Sequence, residues 1–368
     1  MSFRPTVAVV DLEAVRHNVE ALRPPDAAFM AVVKANGYGH GDVPVARAAI
    51  QAGAKWLGVA LVEEGLRLRE AGITREPILL LSEFPAGAEK EVVAADLTPT
   101  VYSTRAAAAL AAAARAIGRP VRAHLKIDTG MHRVGVLPGA AVGMAGAMRK
   151  EGIEIEGVWT HLARSEELDV ATTTEQLARF REVLRELGES GIRPRYRHAA
   201  NSGAAIARPD SHLDLVRVGI AMYGISPGRD LAGRVAHRPA MSLQSRVSHV
   251  QRLPAGEAVS YGHTHRLDRD TTIATVPIGY ADGYVRALSN RGRVLVRGRR
   301  RPVVGTVTMD QLMIDVGEDP VEVGDEVVLF GRQGDEEIRA GEVAGWAGTI
   351  GYEIVCAVSE RVPREYRG

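Results

Sequence analysis

The chain has 368 residues, with 46 lysines and arginines against 45 aspartates and glutamates and a single cysteine, Cys356. That length exceeds one ordinary domain and suits a barrel of about 250 residues joined to a smaller partner. The even charge excludes a basic field for nucleic acid. The lone cysteine excludes a disulfide framework and a cysteine-rich zinc site, which fits a cytoplasmic protein working on a small molecule.

The first ten residues lack the basic start, apolar run and small-residue cleavage site of a secretory signal. Residues 6–10 read as a short strand and 12–22 as a helix capped by Asp11. A repeating alternation follows. Short apolar runs at 28–34, 56–60, 77–82, 97–102, 121–128, 155–161, 195–199 and 213–217 are separated by helix-length segments such as 62–71 and 172–187. Eight strand-helix units predict a closed parallel (β/α)8 barrel of the TIM type. The alanine-rich run 106–116 contains Arg115 and follows Arg105, so it predicts a soluble helix and no membrane span. After about residue 231 the pattern changes to short alternating strands with Gly and Pro turns, at 242–253, 271–277, 293–296, 302–307 and 326–330. The expected division is therefore a barrel over 1–233 and a mainly β domain over 234–368, with the first ten or so residues packing on the β domain.

Barrel enzymes carry their chemistry at the carboxyl ends of the strands, so polar residues there are the candidates. The first strand ends in Lys34 and breaks into Ala35-Asn36-Gly37-Tyr38-Gly39-His40-Gly41. A lysine partly withdrawn from water loses its proton near neutral pH and attacks a carbonyl carbon. The fifth strand carries Lys126 and Asp128 with Arg133 beyond, and the sixth ends at His161. The seventh ends at His198-Ala199-Ala200-Asn201-Ser202-Gly203 and the eighth at Arg217-Val218-Gly219-Ile220. Of the five lysines, Lys55, Lys90 and Lys150 fall at a strand start or on helices, which leaves Lys34 and Lys126 as imine formers. Ser202 at a helix start, with the backbone N–H groups of Gly219 and Ile220, lies where barrels habitually bind phosphate. An aldehyde cofactor that bears a phosphate and is held by a lysine is pyridoxal phosphate.

The block Val33-Lys34-Ala35-Asn36-Gly37-Tyr38-Gly39-His40-Gly41 resembles the cofactor-lysine signature of alanine racemases. Further blocks are similar to that family in order and spacing: Lys126-Ile127-Asp128-Thr129-Gly130-Met131-His132-Arg133, Thr160-His161, Asn201-Ser202-Gly203, Arg217-Val218-Gly219-Ile220, Ser260-Tyr261-Gly262, Gly279-Tyr280-Ala281-Asp282-Gly283, Met309-Asp310 and Arg361-Val362-Pro363-Arg364. The resemblance runs nearly end to end. It implies an isomerase that interconverts L- and D-alanine on pyridoxal phosphate and supplies D-alanine for peptidoglycan. It assigns Lys34 as the imine-forming lysine and the base on one face of the substrate Cα, and Tyr261 as the base on the other face. Inverting a stereocentre requires taking a proton from one side and returning one from the opposite side. The family likeness puts His161 and Arg217 in the hydrogen-bonded chain that assists Tyr261, and sets Arg217 against the pyridine nitrogen. Tyr38, Ser202, Gly219, Ile220 and Tyr352 are implied phosphate holders with Asn201 in the surrounding shell, while Arg133 and the backbone of Met309 are implied to orient the substrate carboxylate. A head-to-tail homodimer is implied, in which Tyr261 and Met309 reach the other subunit's barrel. Lys126 matches a position often carbamylated in relatives. Thr308, Gly351 and His265 depart from the commoner pattern, which bears on inhibitor reactivity and substrate range.

Other readings are weaker. His263-x-His265 could form a metal pair with a carbamylated Lys126, but it lies in the β domain and not at the first barrel strand. Gly37-x-Gly39-x-Gly41 is not a dinucleotide loop, because Asp42 takes the third glycine position. An ornithine-type decarboxylase shares the two-domain plan without these blocks. A non-catalytic pyridoxal-phosphate homeostasis protein lacks the β domain.

Overall fold

Asp11 opens the first helix, as its position suggests: strand β1 (Val7–Asp11) runs into the helix Leu12–Leu22, and the Asp11 carboxylate accepts the Ala14 N–H at 2.9 Å. The computed structural model describes residues 3–168 and 171–368; Met1 and Ser2, part of the segment read above for leader features, lie outside them. The chain divides into two compact units. One holds residues 15–37 and 42–237, and the other holds residues 1–14, 38–41 and 238–368.

The first unit is the barrel. Its strands are β2 (Ala28–Val32), β3 (Trp56–Val59), β4 (Ile78–Leu80), β5 (Thr100–Val101), β6 (Arg122–Lys126), β7 (Glu154–Trp159), β8 (Tyr196–His198) and β9 (Leu215–Val218). Parallel pairing joins them in two arcs, β4-β3-β2-β9 and β5-β6-β7-β8. The Leu80 N–H bonded to the Thr98 carbonyl at 2.9 Å, and the Asp214 N–H bonded to the Arg197 carbonyl at 3.0 Å, stitch the arcs into a ring without open edges. Several strands are shorter than the apolar runs predict, because polar side chains take over the backbone at their ends. Beyond β6, one Asp128 oxygen accepts the N–H groups of Gly130, Met131 and His132, each at 3.0 Å, and turns the chain.

Side chains alternate across a strand, so every second residue enters the barrel. One side of the interior is apolar: Met30, Trp56, Leu79 and Leu215 pack together with Ala28, Leu81 and Tyr196. Burying each large member contributes about 1.5–3 kcal/mol. The rest is polar: His124, Lys126, His198 and Arg217 are all buried, the last three against Trp159 and His124 against Trp56, Tyr196 and His198. Between β6 and β7 the register slips, from Ala123 opposite Ile155 to His124 opposite Gly157, so Glu156 is the extra residue of a β-bulge.

After β2 the chain makes a left-handed turn. Ala35, Asn36, Gly37 and Tyr38 have φ of 52°, 53°, 60° and 51°, and each non-glycine residue there costs roughly 1–2 kcal/mol. The turn is held from outside. Glu64, only 7% exposed, accepts the Ala35 N–H on one oxygen at 2.6 Å and the Ala60 and Leu61 N–H groups on the other at 2.8 and 3.1 Å. Asn36 adds a bond from the Asp42 N–H at 3.2 Å.

The second unit is mainly β. Among the described residues, ten strands form one sheet, in which β1 lies between Met241–Arg246, antiparallel, and Arg364–Arg367, parallel. The run expected as one strand over 242–253 is two, Met241–Arg246 and His249–Leu253. Val247 bonds to the Asp325 carbonyl and Ser248 to the Thr275 carbonyl, so the chain changes partner strands midway. The strand Leu312–Gly317 and the helices Ala340–Ala347 and Gly351–Ala357 were not foreseen. Among the described residues, no helix is long and apolar enough to cross a membrane.

Replacing Glu64 with leucine strands three N–H groups beside the turn. Glu64→Leu is expected to cost about 2–4 kcal/mol in urea unfolding, and Glu64→Gln, which keeps one carbonyl acceptor, markedly less. A loss below about 1 kcal/mol for the leucine variant would mean that the turn does not depend on this carboxylate.

Candidate active site

The carboxyl end of the barrel is built around Arg217, which alternation along β9 turns inward and which is 3% exposed. Its guanidinium donates to the carbonyls of Thr160 at 2.8 Å and Ala199 at 3.0 Å, to His198 Nδ1 at 2.9 Å, and to His161 Nδ1 at 3.4 Å. Burial pulls it down to about 9, which leaves it protonated at neutral pH. Burial, reinforced by this charge, holds His161 and His198 well below the ordinary histidine range and His124 at about 3. All three imidazoles are therefore neutral. An arginine can only donate, so the Nδ1 atoms of His161 and His198 accept and their protons sit on Nε2.

Two basic groups lie over the Trp159 ring. Lys126 Nζ lies 4.2 Å from its ring centre and the Arg217 guanidinium carbon 4.6 Å. Lys126 is lowered to about 7, first by burial and then by the charges of Arg133, Arg217 and Lys34. Lys34 itself is half-buried where β2 gives way to the left-handed turn. Arg133 is exposed on the loop beyond Asp128, and its charge also reaches His161.

Of the expected phosphate end, Asn201, Ser202, Gly219 and Ile220 lie in the same unit. Asn201 caps the helix Ser202–Ala207 by accepting the Ala204 N–H at 3.1 Å, receives the Ser165 hydroxyl at 2.5 Å, and donates to the Leu162 carbonyl at 3.2 Å. The Ser202 hydroxyl accepts the Gly219 N–H at 3.0 Å, and buried Ile220 begins the next turn. Lys34, Arg133, His161, Asn201, Ser202, Arg217, Gly219 and Ile220 thus belong to the barrel.

The remaining candidates belong to the β unit. Tyr38 and Tyr352 face each other with ring centres 6.2 Å apart. Gly39 follows at φ 80°, and a Cβ there would stand 2.2 Å from the Val355 carbonyl oxygen, so only glycine permits this approach. Tyr261 is 75% exposed and Met309 53%. Both are tied to one segment: the Thr306 hydroxyl donates to the Tyr261 carbonyl at 2.8 Å, and the Ala281 N–H donates to the Met309 carbonyl at 3.1 Å. Sequence reasoning set His198 at the end of the seventh strand without giving it a role, and it missed His124. Their signal is a polar residue at alternate positions of a barrel strand, as in His124-Leu125-Lys126 and Tyr196-Arg197-His198.

Residues 10–227 match the family profile of the alanine racemase N-terminal domain, and residues 240–366 match that of the C-terminal domain. The chain belongs to the alanine racemase family. It is 53% identical to the alanine racemase of Symbiobacterium thermophilum, over 99% of this chain and 98% of that one. The crystal structure of alanine racemase from D-cycloserine producing Streptomyces lavendulae superposes with a TM-score of 0.96 at 44% identity, covering 100% of this chain and 98% of the other. The Bartonella henselae alanine racemase, solved with covalently bound pyridoxal phosphate, superposes with a TM-score of 0.89 at 29% identity over 99% of each chain.

Alanine racemases depend on pyridoxal phosphate, and the barrel's donor set fits that group. It offers a lysine amine for a carbonyl carbon. It also offers the Ser202 hydroxyl, which accepts the Gly219 N–H and keeps its own proton to donate, and the Ile220 backbone N–H for a phosphate, together with a guanidinium that stays charged.

The depressed Lys126 gives a pH signature. The unfolded chain keeps this proton up to the ordinary lysine value of 10.5, whereas the folded chain releases it near 7. Between those values the unfolded state binds more protons, so this group makes stability rise with pH. In carbon-dioxide-free buffer, the urea midpoint of the wild type should climb from pH 7 to pH 9.5 relative to that of Lys126→Met. Parallel midpoints across that range would show that the buried amine keeps its proton.

Proposed function

We propose that this protein interconverts L- and D-alanine with pyridoxal phosphate, supplying D-alanine for cell-wall peptidoglycan, through two bases on opposite faces of the substrate Cα. The observation that carries the reading is Arg217, buried and charged, with a neutral His161 accepting its hydrogen bond. When bound, the cofactor supplies the electron sink that makes the Cα proton removable. Lys34 would hold it and act as the base on one face. The Ser202 hydroxyl, the N–H groups of Gly219 and Ile220, and Tyr38 and Tyr352 would hold its phosphate, with Asn201 fixing the helix that carries Ser202. Arg133 and the Met309 N–H would orient the substrate carboxylate.

Tyr261 is the second base. A phenol ordinarily titrates near 10, so it needs a donor to its ionised form. His161 is suited to that: its Nδ1 is taken by Arg217, which leaves the Nε2 proton to donate to a phenolate. Arg217, which stays charged, would be the residue set against the pyridine nitrogen, where a fixed guanidinium would oppose its protonation and disfavour side reactions such as transamination. The exposure of Tyr261 and Met309 supports a head-to-tail homodimer in which each reaches the partner's barrel. We place the functional boundary at residues 233 and 234, between the two matched segments, and the protein in the cytoplasm.

The test is incubation of the purified protein and cofactor with L-alanine, followed by chiral analysis. D-alanine should accumulate towards an equal mixture. Carbon dioxide release from basic amino acids without D-alanine would favour a decarboxylase. A second arm tests the assembly: Lys34→Ala and Tyr261→Phe homodimers should each fall by a hundred- to ten-thousand-fold, and a doubly tagged mixed dimer should regain one of its two sites. No recovery would mean that both bases come from one chain.

A further inference from the structure

The polar interior of the barrel continues past the site. His198 accepts from Arg217 at Nδ1, so its proton is on Nε2, 2.9 Å from His124 Nδ1. His124 is neutral and accepts there, so its own proton is on Nε2. Among the described residues that atom has no hydrogen-bond partner, and it faces Glu156 Oε2, also without one, at 3.9 Å. A small rotation of either side chain brings the pair to hydrogen-bond distance. The Arg217 N–H given to His198 and the Nε2 protons of His198 and His124 thus run in one direction, away from the site and towards one carboxylate.

Two backbone features serve this alignment. Counting back from inward-facing Trp159 and Gly157, regular alternation would turn Glu156 outward. The β-bulge adds Glu156 opposite His124 and re-aims its side chain inward, where it lines a cavity of about 270 Å³ with Trp56, Arg122 and Tyr196. Gly157 leaves space for the imidazole, since a Cβ there would lie 2.6 Å from the His124 ring. Burial raises the Glu156 carboxyl above its ordinary range, while Arg122, 3.4 Å from its other oxygen, works against that shift and favours the ionised carboxylate; either form keeps an oxygen that can accept.

We propose that Glu156 and His124 are positioning residues: the carboxylate fixes the His124 tautomer, His124 fixes that of His198, and His198 holds Arg217 in one orientation. The role assigned to Arg217 rests on the function proposed above. The chain of tautomers does not.

The test uses the holoenzyme labelled with ¹⁵N-histidine, with His124→Phe to assign that ring. Long-range proton–nitrogen correlations should show His198 and His124 as neutral Nε2–H tautomers. Glu156→Leu should convert His124 to a mixture of tautomers and lower kcat about tenfold at unchanged KM, as loss of an outer partner of a site histidine typically does. Glu156→Gln, whose carbonyl still accepts, should keep the tautomer and most of kcat. A proton on His124 Nδ1 in the wild type would overturn the proposal. So would a leucine variant with unchanged tautomers and kcat, or a glutamine variant as impaired as the leucine one. The tautomers are read without substrate, so a wild-type enzyme that failed to racemise alanine would contradict the functional reading alone.

Discussion

A guanidinium that keeps its proton inside a barrel sets the terms for everything around it. Removing a cation from water costs several kcal/mol unless its donors are met, and the partners of Arg217 are two carbonyls and two imidazoles, with no carboxylate within hydrogen-bond distance among the described residues. Carbonyl dipoles and nitrogen lone pairs therefore carry the stabilisation. The imidazoles can serve only while neutral, and burial together with the Arg217 charge keeps them so. The same positive field reaches Lys126 across the Trp159 ring and helps to depress it.

The barrel separates support from chemistry. The Met30, Trp56, Leu79 and Leu215 cluster fills one side with rigid apolar packing, while β6 to β9 turn their polar residues into the other. Lys34 stands where β2 passes into a left-handed turn that Glu64 holds in place. A reactive group on a strand end, supported by buried hydrogen bonds, is positioned more firmly than one on a free loop. The exposed Tyr261 and Met309 stand in a different environment, on turns anchored to residues 306–309.

Much of this was legible in the sequence, and the parts that were not share a cause. The strand-helix rhythm, Asp11 as a cap and the break after Lys34 are local signals, and local hydrogen bonds realise them. The glycines announced a turn after Lys34. They did not announce that Ala35 and Asn36 would be left-handed too, because Glu64, from a later helix, imposes that conformation. The Glu156 bulge was invisible because one extra residue leaves the apolar run around it unchanged. In the run 242–253 the alternation shifts phase between Val247 and Val250, which marks the change of partner strand that a reading as one strand passes over. His198 and His124 could have been found by asking why polar residues recur at inward positions, but their partnership depends on pairing across different strands.

One charged arginine is surrounded by neutral, directionally fixed imidazoles. Neutron diffraction from deuterium-exchanged crystals at neutral pH observes those protons directly. A fully deuterated Arg217 guanidinium is expected, with a single ring deuteron on each of His161 and His198, placed on Nε2. A deuteron on Nδ1 of either histidine, or a guanidinium lacking one, would contradict it.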